Sequence, residues 1–317
     1  MGGPVGHFSA TLPLVDLPDG LSARPLRLDD ARAVFEVMAA QELEDIGEVA
    51  IEEADIVGDW ARPSFDVADS TVGVFAGERL VAYGEHSGHD RGDAAVHPEF
   101  RARGIGTALA RWMQDTARRH GATVVGMPVP QGSAGDRLLE ALGYHVRWES
   151  WVLQLPEGAA VPSRELPEGY TVRAAGPEHY RAAWTVQEDA FLEWSERDRQ
   201  PYEDWESSMT LRPGFEPWNL RVVLDPAGAV VAMAMVQMAE TTAFIARLAT
   251  AKEQRGKGLA QALLVDAFAV GRAHGAARSE LSTDSRTGAL GLYEKVGMEA
   301  TSTWVNRAIA LTIPPAP

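Results

Sequence analysis

Val96-His97-Pro98-Glu99-Phe100-Arg101-Ala102-Arg103-Gly104-Ile105-Gly106-Thr107-Ala108-Leu109 is the stretch on which the fold turns. Asp93–His97 reads as a short strand. After Gly104, Ile105, Ala108, Leu109, Trp112, Met113 and Thr116 recur at helical spacing. A strand that turns through glycine into a helix leaves the first helical N–H groups unpaired. It also puts the positive end of the helix dipole at the turn, a combination that holds a pyrophosphate. Arg101 and Arg103 add charge at the same mouth.

The pattern occurs twice. Arg255-Gly256-Lys257-Gly258-Leu259-Ala260 repeats Arg101–Gly106 at a constant offset of 154 residues. That offset also carries His120-Gly121-Ala122 onto His274-Gly275-Ala276, and Leu138, Glu140 and Gly143 onto Leu292, Glu294 and Gly297. A gapless register of this kind predicts two copies of one fold. The Pro- and Gly-bearing stretch 156–169 reads as a linker. The expected division is therefore 1–155, a linker 156–169, and 170–317, with a loose tail at Pro314–Pro317.

Each copy reads as mixed α/β (α+β), a central mixed sheet flanked by helices. The first is expected to run strand Pro25–Leu28, a helix from Ala31, strands Thr71–Phe75, Arg79–Tyr83 and Asp93–His97, helix Gly104–His120, strand Thr123–Val129, a helix to Leu142 and strand Tyr144–Leu155. The second follows: strand Tyr170–Arg173, a helix over 178–193, strands Arg221–Asp225, Val230–Met238 and Phe244–Thr250, helix Gly258–His274, strand Leu281–Thr283, helix Gly288–Lys295 and strand Ser302–Leu311.

Composition narrows the function. Of 317 residues, 29 are Lys or Arg and 45 Asp or Glu, a net charge of −16 that opposes nucleic acid as a partner. The absence of cysteine removes disulfides, thiolate metal sites and a cysteinyl acyl-enzyme. Met1–Gly6 has no signal-peptide pattern and no apolar run reaches bilayer length, so a soluble cytoplasmic protein is expected. His86, His89 and Asp90 read as a hairpin loop rather than a metal site.

No Gly-Lys-Ser/Thr follows either turn, so neither is a Walker loop, and Gly-x-Gly-x-x-Gly spacing is absent. The quoted stretch resembles the acetyl-CoA-binding motif of the GNAT N-acetyltransferase superfamily. Leu292-Tyr293-Glu294-Lys295-Val296-Gly297-Met298 resembles that family's closing motif. The double copy is similar to the tandem members, of the mycothiol synthase kind. The resemblance implies acetyl-CoA as cosubstrate, with its pyrophosphate on the turn formed by Arg255, Gly256, Lys257, Gly258, Leu259 and Ala260. Its pantetheine is expected along Leu248-Ala249-Thr250. The matching residues of the first copy are Val96, Arg101, Arg103, Gly104 and Gly106.

The same resemblance implies direct attack of an amine on the thioester, with a tyrosine four residues before the closing glycine protonating the thiolate. That residue is Tyr293 in the second copy and Leu139 in the first, and leucine donates no proton. The second copy is accordingly expected to be catalytic, although it has Thr250-Ala251-Lys252 where relatives have Val-x-Pro, and Arg286 where many have Asn. Glu240 is the candidate general base, with a solvated turn carboxylate as the competing reading, and Asp284 stands behind it. Eight acids between Glu188 and Glu206, interleaved with Trp184, Phe191, Trp194, Tyr202 and Trp205, suit either a cationic acceptor amine or a solvated helix face. The leading function is transfer of acetyl to a small-molecule primary amine. A non-catalytic acyl-CoA sensor and an enzyme of the mycothiol synthase kind are the alternatives.

Overall fold

The computed structural model describes residues 17–312; the expectations for Met1–Gly6 and for the Pro314–Pro317 tail lie outside them. Two compact units are present. One runs to Arg147 and is joined by the segment from Asn306; the other is Trp148–Val305. The expected linker 156–169 thus falls inside the second unit and does not separate the two.

The first unit contains β1 (Leu21–Arg24), α1 (Ala31–Ile46), α2 (Glu53–Trp60), α3 (Val67–Ser70), β2 (Thr71–Ala76), β3 (Arg79–Gly88), β4 (Arg91–Val96), α4 (Ile105–Arg119), β5 (Val124–Pro130) and α5 (Ala134–Ala141). The opening strand ends before Pro25 rather than beginning there, and pairs antiparallel with β2 from Leu21 opposite Ala76. Proline brings no N–H to a ladder. Leu26 just beyond it is fully buried, while Leu28 is exposed. His86 lies on β3, buried, rather than in a hairpin loop. Its Nδ1 is 2.9 Å from His120 Nδ1, and His120 Nε2 is 2.9 Å from an Asp69 oxygen.

β6 (His145–Gln154) leads into the second unit, which holds β7 (Thr171–Ala174), α6 (Pro177–Phe191), α7 (Tyr202–Ser208), β8 (Leu220–Leu224), β9 (Val230–Ala239), β10 (Thr242–Thr250), α8 (Leu259–Ala273), β11 (Arg278–Asp284) and α9 (Leu290–Lys295). β12 (Glu299–Ala310) starts in it and ends in the first unit. In the first unit the strand order is β1-β2-β3-β4-β5 and then the end of β12; in the second it is the start of β12, then β6-β11-β10-β9-β8-β7. The two closing strands have been exchanged between the repeats. β6 pairs antiparallel with β11, Leu153 opposite Leu281. The far end of β12 lies against β5, where Leu311 N donates to Thr123 O, and a Cβ on Gly126 would meet Arg307 O at 2.5 Å.

Helix α8, apolar nearly all round in sequence, buries Leu259, Leu263, Leu264, Ala267 and Phe268 in the main cluster of the second unit with Tyr293, Val296 and Met298. Helix α4 carries a clean apolar stripe, burying Ile105, Leu109, Trp112 and Met113 and leaving Arg118 and Arg119 at its polar end. Among the described residues no helix is long and apolar enough to cross a membrane.

Candidate active site

β10 pairs with β9 along its whole length but with β11 only over Thr242–Ile245, after a register that ends at Ile245 opposite Leu281. A bulge between Ile245 and Arg247 marks the point of departure. Ala251 N donates to Val231 O. By the alternation of an antiparallel ladder, Leu248 and Thr250 turn their N–H and C=O groups the other way, into the gap that β11 has left. Thr250 O accepts a bond from Arg255 Nε at 3.3 Å. Thr250 Oγ1 is buried with no hydrogen-bond partner among the described residues. An open strand edge with an orphaned buried hydroxyl fits an extended, amide-bearing ligand such as pantetheine.

The gap leads to the glycine turn. Gly256 and Gly258 have φ of 78° and 82°, in the left-handed region that costs most residues energy. Gly258 caps α8, so the amides that follow it face outward without intrahelical partners. The two cations of the turn are already engaged. Arg255 donates to both oxygens of Glu193, whose carboxyl this bond pulls below its ordinary range. Lys257 Nζ is 3.0 Å from Tyr170 Oη and 2.7 Å from Gln254 Oε1. Backbone amides and the helix dipole are thus left at the turn, and Arg255 ties it to Thr250 O and Glu193.

Tyr293 is on α9, 7% exposed, in the apolar cluster against which Leu248 packs. Burial pushes its phenol up to about 12. Its hydroxyl makes no hydrogen bond with any described residue, so its proton is uncommitted. In the first unit Leu139 fills the same place, 4% exposed.

The first glycine turn keeps the geometry, with φ of 60° at Ala102 and 86° at Gly104, and Asp45 holding Arg101 as Glu193 holds Arg255. Arg103 bonds back to Glu99 O and lies over the Phe100 ring. Gly106 serves packing: a Cβ there would meet Leu138 Cδ2 at 2.7 Å, so its absence lets α4 approach α5. The strand edge differs from that of the second unit, because Val96 N is taken by Gln41 Oε1 at 3.0 Å.

Glu240 is corrected by the structure. It sits at the exposed tip of the β9–β10 turn, with φ of 48°. At about 3.3 Å per residue it is roughly 25 Å along the strand from Leu248, beyond reach of an amine at the thioester. Asp284 is occupied by Arg286, with Nη2 to Oδ2 at 2.6 Å, and the Arg286 guanidinium lies 3.5 Å from the centre of the Trp148 ring and 4.8 Å from that of Trp194. Much of the acidic segment is engaged by other side chains. Glu188 is fully buried and bidentate to Arg197, Asp189 pairs with Arg199, and Tyr202 donates to Glu206. Trp205 is core, its Nε1 bonded to Gln187. Neither the solvated-face nor the cationic-site reading describes Glu188, which holds the α6–α7 connection together through Gln200 N as well.

Sequence reasoning missed Gln41 and the bracing roles of Asp45 and Glu193. Asp45, among the acids Glu42, Glu44 and Glu48, and Glu193, among those of the segment Glu188–Glu206, are separated by 148 residues rather than 154, so the gapless repeat does not align them. Among the described residues no group of three or more His, Asp and Glu is arranged to hold a metal ion.

The acetyltransferase (GNAT) family model matches residues 35–144 and 180–298. The mycothiol acetyltransferase of Salinispora arenicola is 32% identical over 231 residues, covering 68% of this chain and 71% of that protein. That of Thermobispora bispora is 28% identical over 235 residues, covering 71% and 78%. A GCN5-related N-acetyltransferase from Sphaerobacter thermophilus superposes with a TM-score of 0.70 at 28% identity, over 95% of this chain and 98% of that one. A tandem GNAT protein from the clavulanic acid biosynthesis pathway shares the fold, with a TM-score of 0.69 at 18% identity, over 94% and 100%.

Proposed function

The chain belongs to the acetyltransferase (GNAT) family, as a tandem member homologous to the mycothiol acetyltransferases, and on that premise we propose that its second unit transfers acetyl from acetyl-CoA directly to the primary amine of a small molecule. The single observation that carries the choice of unit is the pairing of an uncommitted phenol, Tyr293, with an open strand edge at Leu248 and Thr250, where the first unit has Leu139 and a Val96 amide already bonded to Gln41.

The fold binds acetyl-CoA as cosubstrate, which supplies an activated acyl group. The open β10 edge would hold the extended arm, the amides after Gly258 its pyrophosphate, and a backbone N–H of β10 the oxygen that gains charge as the amine adds to the carbonyl carbon. The carbon–sulfur bond then breaks. Tyr293 meets the departing thiolate with its O–H, and the proton lost by the nitrogen leaves to solvent. With its phenol near 12 and a thiol near 8.5, full transfer from tyrosine to sulfur is uphill. The hydroxyl therefore works chiefly as a hydrogen-bond donor to the growing negative charge.

Kinship with the mycothiol acetyltransferases favours a second reading of the acceptor, the amine precursor of mycothiol. Acetyl-CoA consumption against a panel of primary amines that includes this precursor tests both. Turnover with any amine supports the acetyltransferase reading, and the preferred amine decides between acceptors. Binding of acetyl-CoA without turnover across the panel would return the chain to an acyl-CoA sensor.

A further inference from the structure

Residues 156–169 have no part in the reaction above, yet part of this segment is fastened to the second unit. Val161 is buried in its main apolar cluster and Leu166 packs against that cluster. Between them, Pro162 O accepts a bond from Gln261 Nε2 at 2.7 Å, in the first turn of α8. These attachments lay Arg164 across the glycine turn. A Cβ built on Gly258 would lie 2.5 Å from both Cδ and Nε of Arg164. At Gly104, the matching position of the first unit, a Cβ would meet nothing within 4 Å.

Charge points the same way. Of the cations at the second turn, Arg255 is bonded to Glu193 and Lys257 to Tyr170 and Gln254. Arg164 is exposed and makes no ion pair with any described residue. A guanidinium without a carboxylate partner, held beside outward-facing helix amides, is suited to a phosphate oxygen, which it meets with two parallel N–H donors.

We propose that Arg164 clamps the phosphates of acetyl-CoA in the second unit, making the segment between the repeats part of the cofactor site. The inference rests on the reading of the second unit as the acetyl-CoA site. It makes Arg164 a residue that selects the phosphorylated carrier over the bare acyl-pantetheine. Two phosphate sources are within the carrier, the pyrophosphate and the 3′-phosphate, and the guanidinium chemistry is the same for both.

Calorimetric titration of the full chain tests it, with CoA, 3′-dephospho-CoA and acetyl-pantetheine as ligands. Arg164→Gln is expected to weaken CoA about tenfold, the size of one lost charge-assisted bond at a partly wet site, with a smaller loss at high salt. Acetyl-pantetheine binding and the melting temperature should not change, and Arg164→Lys should recover part of the loss. Persistence of the effect with 3′-dephospho-CoA assigns the clamp to the pyrophosphate; its disappearance assigns it to the 3′-phosphate. Equal CoA affinity in the wild type and Arg164→Gln, or an equal loss for acetyl-pantetheine, overturns the inference. Gly258→Asp runs alongside: if it too leaves CoA binding intact, the placement of the cofactor in the second unit has failed, and the clamp with it.

Discussion

Glu193 grips the Arg255 guanidinium with both carboxylate oxygens, at 2.6 and 3.1 Å, while Arg255 Nε reaches Thr250 O. The pair ties the connection after α6 to the end of β10 and lowers the net positive charge at the glycine turn. Glu193→Gln is therefore expected to tighten CoA binding about twofold at low ionic strength, since an acid a few ångströms from the anion has been neutralised in mostly aqueous surroundings. The gain should fade at high salt, and the KM of the amine should stay put. Titrations at two salt concentrations, beside steady-state kinetics, check this; a raised amine KM would put Glu193 at the acceptor instead.

Tyr293→Phe removes one oxygen from a ring in a packed cluster. Because that hydroxyl has no hydrogen-bond partner among the described residues, packing and melting temperature should change little. The kcat should fall by roughly 10²–10³, the range for losing one hydrogen-bond donor to charge that develops in the transition state, toward the lower end because a thiolate leaves well. The phenol's raised value near 12 has a further consequence: the tyrosine stays protonated through the neutral and mildly alkaline range. Rate profiles should therefore show no tyrosine-dependent decline below about pH 10. Near-normal kcat in the variant would remove the main reason for placing chemistry in the second unit.

Gly258→Asp should abolish CoA binding at the second turn. The new side chain is strained at φ of 82°, collides with Arg164 and brings a negative charge toward the pyrophosphate. Gly104→Asp meets comparable backbone strain in the first unit, of order 1–3 kcal/mol, but should leave turnover intact. Paired assays of the two variants decide which unit works, and loss of activity with Gly104→Asp alone would reverse the assignment.

His86 gives the first unit a sensitivity to acid. Burial first, and then the neighbouring His120, lower its pKa to about 4 from the ordinary 6.5. A histidine kept neutral by folding contributes stability that is present above 6.5 and lost as pH falls through 4. The melting temperature advantage of the wild type over His86→Gln should be full at pH 7 and shrink by pH 4.5. A constant difference across that range would show that His86 does not couple protonation to folding.

Both folds could be read from sequence because their evidence is local. The glycine turns, the helical stripe after Gly104 and the constant offset each need only a short window. The positions of the candidate residues follow the same motifs: Gly258 caps α8, Thr250 ends β10 and Tyr293 is on α9. Strand partners were not legible. Nothing in His145–Gln154 says that it pairs with Arg278–Asp284 rather than with a strand of its own repeat, since the pairing is set by contacts far apart in sequence. The Glu193–Arg255 bond joins residues 62 positions apart, and Glu188 looks like any surface acid until Arg197 folds back onto it. Glu240 drew attention as a carboxylate beside the right strand, and only the strand's length shows it at the wrong end.

The exchange of closing strands sets an order of events during synthesis. The first unit is completed by the segment from Asn306, which is synthesised after the whole of the second unit. Until then β5 presents an open edge, with Gly126 bare where Arg307 and Ala308 will later press against it. The amino-terminal repeat therefore cannot finish folding ahead of the carboxy-terminal one, as a leading domain ordinarily does. Its last contact, Leu311 N to Thr123 O, joins residues 188 positions apart, a slow closure by the measure of sequence separation.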